Sequence, residues 1–175
     1  ACAAVVVLRL PDLGLVEEAV ARVEVRFPYV PGLLSFREIP ALVAAWERLR
    51  RRPDALVLDA HGRAHPRRMG LACHAGLVFG VPTVGCAKSL LVGSHGPLAA
   101  ERGAHAVIVH DGDVVGCALR TRTGVRPVYV SVGHRVSLAV ARRLILRLTP
   151  GGRYRVPEPI RRAHEIAGRC LAAAH

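Results

Sequence analysis

The densest group of residues able to do chemistry lies between Asp59 and Arg68. Asp59 closes a short apolar run, and His61, Arg63, His65, Arg67 and Arg68 follow within nine residues. A carboxylate at a strand end is held rigidly and can ligate a divalent cation. Arginines neutralise phosphate charge, and a histidine can position water or protonate a leaving group. Phosphodiester hydrolysis needs these residue types. Two other readings stay open at this point. One is a zinc site of Asp59, His61 and His65, although no third histidine or cysteine is spaced to complete a standard set. The other is a solvated basic loop.

Lys88 is the one lysine in a chain that otherwise uses arginine freely. That contrast points to a need for a compact ammonium at this position. Glu38 opens a helical pattern, where a carboxylate ordinarily complements the helix dipole. Tyr29 stands between Pro28 and Pro31 in the run Pro28-Tyr29-Val30-Pro31-Gly32. Prolines on both sides stiffen that loop and leave the ring projecting. The run Val130-Ser131-Val132-Gly133-His134-Arg135 precedes a helix, and serves either as its cap or as an anion-binding terminus. The glycine turns at 93–96 and 151–152 match no phosphate-loop pattern.

The chain has 175 residues, a net charge of +12 and 51% hydrophobic residues. Its length suits a single domain over residues 1–175, with a core that needs no staples. The positive charge points to a polyanionic partner, nucleic acid being the commonest. An arginine-rich coding bias accounts for part of that charge. No apolar run reaches the ~18 residues of a membrane span. The opening apolar run, residues 3–8, is short and no basic region precedes it, so no signal peptide is expected. The cytoplasm is the expected compartment, and no membrane partner is expected. The five cysteines are widely spaced, odd in number and without a C-x-x-C pair. They read as small buried hydrophobes in a reducing compartment, not as a disulfide framework.

These residues must be positioned by regular elements. Residues 3–10 read as a buried strand. Residues 16–27 follow as the second arm of an antiparallel hairpin, whose end at 23–27 alternates as a half-buried strand. Helical periods cover 36–51, 66–79, 136–148 and 157–174. Strands are expected at 55–58, 82–87, 106–109, 114–120 and 128–132, with an Asp111-Gly112-Asp113 turn. This order predicts an α/β fold with a mixed sheet. Asp59 and Lys88 each directly follow a strand, where α/β sheets gather their chemistry.

Five stretches, in order across essentially the whole chain, together resemble the endonuclease V family. They are residues 28–38, 59–67, 82–89, 128–135 and 157–164. The resemblance implies a ribonuclease H-like mixed sheet flanked by helices. It also implies an endonuclease of DNA repair, dependent on Mg²⁺ with Mn²⁺ as a substitute. Such an enzyme cuts the second phosphodiester bond 3′ to deoxyinosine, and some members prefer inosine in RNA. It implies a metal site of Asp59 and Glu38. His65 and Lys88 become site residues near the phosphate, and His164 a late-helix residue facing the metal. Tyr29 becomes a wedge that fills the stack when the lesion turns out. The backbone near Gly32 and Leu34 becomes the wall of a hypoxanthine pocket. Lys88, His134 and Arg135 join the nucleic-acid contacts. Inosine-containing DNA, with RNA as a second candidate, is the implied partner of a monomeric protein.

The chain departs from the family pattern at Ala60, which replaces a glycine, and at Val132, which replaces a proline. The family's first strand and its metal-binding Asp are expected to precede Ala1, so weak or absent catalysis is expected of these 175 residues alone. That expectation motivates a second reading, a non-cleaving protein that binds inosine lesions. A third, a metal hydrolase of small substrates, is disfavoured by the basic composition.

Overall fold

The structure is a computed structural model that describes residues 1–28 and 30–172. In chain order the elements are β1 (Cys2–Arg9), β2 (Gly14–Arg22), α1 (Leu34–Glu47), β3 (Leu56–Leu58), α2 (Leu71–Phe79) and β4 (Thr83–Ala87). There follow β5 (Ser94–His95), β6 (His105–His110), β7 (Asp113–Leu119), β8 (Val128–His134), α3 (Leu138–Arg147) and α4 (Glu158–Ala172). The chain forms two compact units, Ala1–Pro53 with Glu158–His175, and Asp54–Pro157. No helix among the described residues is long and apolar enough to cross a membrane.

In the first unit β1 and β2 pair antiparallel, and α1 and α4 pack on them. Ile39, Ala41, Ala45 and Trp46 on α1 share the interior with Ala19 and Ala21 of β2 and Ile160 of α4. The expected hairpin is present, but its second strand ends at Arg22, one step before Val23 exchanges hydrogen bonds with Ala1. Beyond Val23 the alternating stretch pairs with no strand among the described residues. Residues 24–27, exposed and half-buried alike, line an open cavity of about 320 Å³ with Phe36, Arg37 and Pro40. Phe27 stacks on Phe36 at 5.7 Å there. Cys2 on β1 and Cys170 on α4 form a disulfide. This corrects the reading of all five cysteines as unpaired hydrophobes. Linear spacing hid the pair, which is 168 residues apart in sequence. Cys73, Cys86 and Cys117 are free and buried, as expected.

In the second unit six strands form one mixed sheet, in the order β3-β4-β8-β7-β6-β5. Only β3 and β4 run parallel, with Leu58 opposite Gly85. The remaining pairs are antiparallel. The two-residue turn between β6 and β7 puts Asp111 and Gly112 at φ 51° and 82°, as a tight hairpin demands. β5, a two-residue strand, was not foreseen. α2 begins at Leu71, not at residue 66. Arg68 sits at φ 54° and Gly70 is extended, so residues 63–70 form a loop that helical periodicity alone does not reveal. α3 is capped by Ser137, whose Oγ accepts from the Val140 amide at 3.3 Å. That contact favours the cap over an anion site at this helix terminus.

Candidate metal and phosphate site

Asp59 and Lys88 follow the two parallel strands of the second unit directly. β3 and β4 run parallel with Leu58 opposite Gly85, so Asp59 and Lys88 leave the sheet at the same end, two residues apart in register. Lys88 Nζ donates to Asp59 Oδ2 at 2.5 Å. Both remain open to solvent, with 36% of the Asp59 and 43% of the Lys88 side chain exposed. A polar anion can therefore reach both.

The loop after Asp59 is fixed by backbone contacts that only glycine permits. The Gly62 amide donates to the buried Ser131 Oγ at 2.7 Å, and the Arg63 amide to Val132 O at 2.8 Å. A Cβ on Gly62 would lie 2.1 Å from Val132 O. One on Gly85 would lie 2.6 Å from both Ala60 O and the Gly62 amide, and one on Gly70 2.3 Å from His61 O. The Ala72 amide at the start of α2 donates to His61 O at 3.1 Å. Asp59 thus leads a loop clamped between β4, β8 and α2.

His61 and His65 lie along that loop. Burial first, then the neighbouring His65, pushes His61 below the usual imidazole range. Its Nδ1 is buried without a hydrogen-bond partner. His65 is also pushed down, by burial and then by the charge of Arg67. Its Nδ1 lies 3.2 Å from the Arg67 backbone N–H, which can only donate. Neutral His65 therefore carries its proton on Nε2, available as a donor. Among the described residues no three of His, Cys, Asp and Glu form a group able to hold a metal, so Asp59, His61 and His65 do not make the alternative zinc site. Arg68 turns away from the loop to the β6–β7 turn. Its Nη2 lies 3.5 Å from Asp113 and 3.7 Å from Asp111 and donates to His110 O.

His134 and Arg135 are not brought to this end of the sheet. His134 pairs with Thr83, at the start of β4, whereas Lys88 follows its end. Five residues of strand separate the two positions, about 16 Å. The Arg135 guanidinium donates to Gly80 O at 3.1 Å. Sequence reasoning missed two residues that the geometry brings in. Arg155 reaches Lys88 O through Nη2 at 3.3 Å and also holds Pro127 O. Ser131 anchors the Asp59 loop. Ser131 was legible as part of a strand, whereas Arg155 lies in an irregular stretch with no periodic signal.

In the first unit, Tyr29 lies outside the described residues. Pro31 and Gly32 occupy the centre of a turn closed by the Leu33 amide on Val30 O at 2.9 Å, with Gly32 at φ 78°. Proline followed by a left-handed glycine suits a type II turn. Gly32 faces open space, and Leu34, the first residue of α1, is exposed. Glu38 lies in the second turn of α1, not the first, so a role at the helix dipole does not account for it. His164 is exposed on α4. On the same helix Arg161 and Arg162 hold Glu158, whose carboxyl drops to about 2, chiefly through the Arg161 hydrogen bonds.

The endonuclease V family model matches residues 1–165. The chain belongs to the endonuclease V family. The endonuclease V of Myxococcus xanthus is 57% identical over 161 residues, 92% of this chain and 68% of that protein. The endonuclease V of Roseiflexus castenholzii is 56% identical over 167 residues, 95% of this chain and 74% of that protein. The crystal structure of Streptomyces avermitilis endonuclease V superimposes with a TM-score of 0.94 at 50% identity, over 99% of this chain and 75% of that one. Ciona intestinalis endonuclease V, in complex with a 23mer DNA containing an inosine followed by a ribo-adenosine, gives 0.84 at 26% identity, over 99% and 79%. Membership of the endonuclease V family makes the protein a nuclease of ribonuclease H-like α/β fold, with the Asp59–Lys88 pair at the strand ends of its mixed sheet.

Proposed function

We propose that the protein is a Mg²⁺-dependent endonuclease of DNA repair that cuts the second phosphodiester bond 3′ to deoxyinosine, with inosine in RNA as a second substrate. The observation that carries this reading is the Asp59–Lys88 pair in a chain of this family. Inosine-containing DNA on the Ciona relative supports the choice of lesion.

Mg²⁺ is bound through one or two carboxylates, with water and substrate phosphate completing its shell. Asp59, a partly exposed oxygen donor at a strand end, fits that chemistry, and Mn²⁺ substitutes on the same donor. Glu38 is the second acid that the family resemblance assigns. When bound, the ion neutralises phosphate charge and makes its water more acidic. Lys88 donates to phosphate oxygens and steadies the charge that develops on them. His65 donates from Nε2. His164 is the late-helix residue of the same chemistry.

Tyr29 fills the stack when the lesion turns out, a step that costs less for a poorly paired base. Gly32 and Leu34 present backbone to hypoxanthine, whose O6 accepts where adenine donates. Leaving that hydrogen bond unmade costs roughly 1–3 kcal/mol, which discriminates the two bases. His134 and Arg135, at the other end of the sheet, contact flanking phosphates. The protein acts in the cytoplasm as a monomer.

The test is a 5′-labelled strand with one deoxyinosine, incubated with Mg²⁺ and protein expressed from its complete reading frame. One product, ending a single nucleotide past the inosine, is expected. No product from inosine-containing DNA or RNA overturns the reading. Binding of the lesion without cutting replaces it with a non-cleaving lesion-binding protein.

A further inference from the structure

Two loops of the second unit adjoin the Asp59–Lys88 end of the sheet. Residues 120–127 join Leu119 to Val128, a paired position one step from the Tyr129–Ala87 pair. Residues 149–157 follow α3. Together they hold Arg120, Arg122, Arg126, Arg153 and Arg155 and no carboxylate. Glu101, on the adjoining segment whose Ala100 O accepts from the Gly124 amide, leaves the cluster strongly positive.

The loops are fastened to one another. The buried Thr121 Oγ1 donates to Arg155 O at 2.6 Å, and Arg122 donates to Arg153 O. Arg155 donates to Pro127 O and to Lys88 O. These guanidiniums are held by neutral carbonyls, so their charge is not cancelled. Two left-handed glycines, Gly151 and Gly152 at φ 111° and 102°, lead into Arg153 and Tyr154. Tyr154 is 47% exposed, and the Arg153 guanidinium lies 5.8 Å from its ring centroid. Arg126 and Arg153 are exposed as well. An exposed ring bearing an arginine, on a rigid cationic loop, combines the two elements that hold unpaired nucleotides: backbone attraction and base stacking.

We infer that residues 120–127 and 149–157 form a binding surface for the unpaired strand flanking the scissile phosphate. Tyr154 stacks a base there, and Arg126 and Arg153 contact the backbone. Arg155 couples this surface to the reacting phosphate through Lys88. The inference rests on the nuclease reading for its choice of polymer.

The test measures fluorescence anisotropy with an inosine-bearing single strand, its deoxyadenosine counterpart and the two duplexes, with single-turnover nicking alongside. Tyr154→Ala is expected to weaken binding to both single strands about tenfold. Duplex binding should change less than about twofold. Tyr154→Phe should retain binding and Tyr154→Leu lose it, so a misfolded alanine variant cannot decide the matter. Arg126→Gln with Arg153→Gln should flatten the salt slope on single strands by about 1.4. Unchanged single-strand binding in Tyr154→Ala and Tyr154→Leu overturns the inference, as does equal loss on strand and duplex. Because the deoxyadenosine strand carries no lesion, the loop is read independently of nicking. Wild-type protein that fails to nick inosine overturns the nuclease reading and leaves this readout intact.

Discussion

Lys88 Nζ lies 2.5 Å from Asp59 Oδ2, across the ends of two parallel strands. Both side chains are partly exposed, so the pair contributes under about 1 kcal/mol to stability. In the proposed function its value is positional, since it sets a carboxylate beside a point cation at one end of the sheet.

Lys88→Ala should therefore leave the melting temperature nearly unchanged while slowing nicking about 10²–10³-fold. Lys88→Arg should recover only part of that rate, because a planar fork does not replace a compact ammonium. Single-turnover rates and thermal melts on the same preparations check both statements. A large loss of stability with unchanged rate would make Lys88 a structural residue.

Gly62 packs against Val132 O, where a Cβ would come within 2.1 Å. Gly62→Ala should cost about 3 kcal/mol, read by denaturant unfolding. Gly168 on α4 meets nothing within 4 Å. Gly168→Ala should stabilise by roughly 0.5–1 kcal/mol through helix propensity alone. Equal effects of the two changes would remove the clamp around the Asp59 loop from the account.

His65 and His74 are both pushed below the usual imidazole range, each chiefly by burial. Below pH 6.5 the unfolded chain binds protons that the folded chain does not yet take up. Stability should therefore fall as the pH drops through 6.5, and level off below the folded-state values. His65→Gln with His74→Gln should flatten that slope in melts recorded from pH 7.5 to 5. An unchanged slope would contradict the burial argument.

The Cys2–Cys170 disulfide ties β1 to α4 across 168 residues of sequence. Closing so long a loop stabilises by about 2–4 kcal/mol. Dithiothreitol should lower the melting temperature of the wild type and leave that of Cys170→Ser unchanged. Equal melting of oxidised and reduced wild type would contradict this.

Much of this was legible in the sequence. The apolar runs ending at Leu58 and Ala87 placed Asp59 and Lys88 at strand ends, because short β-rich runs admit few other structures. The Asp111-Gly112 turn was legible because only left-handed conformers close it. Three features were not. Alternation at 23–27 was real, but beyond Val23 it belongs to no paired strand among the described residues, and periodicity alone does not report pairing. His134 followed a strand as Lys88 did, but strand direction, which the sequence does not state, put it at the opposite end. Arg155 holds Lys88 through its guanidinium and a backbone carbonyl, a contact that leaves no pattern in the chain.

The most direct test of the central claim is single-turnover nicking of a deoxyinosine strand in Mg²⁺ by wild type and by Asp59→Asn. The wild type should cut one nucleotide past the inosine and leave a deoxyadenosine strand intact. Asp59→Asn should bind the lesion with similar affinity and nick at least about 10³-fold more slowly. Nicking by Asp59→Asn at the wild-type rate would contradict the account.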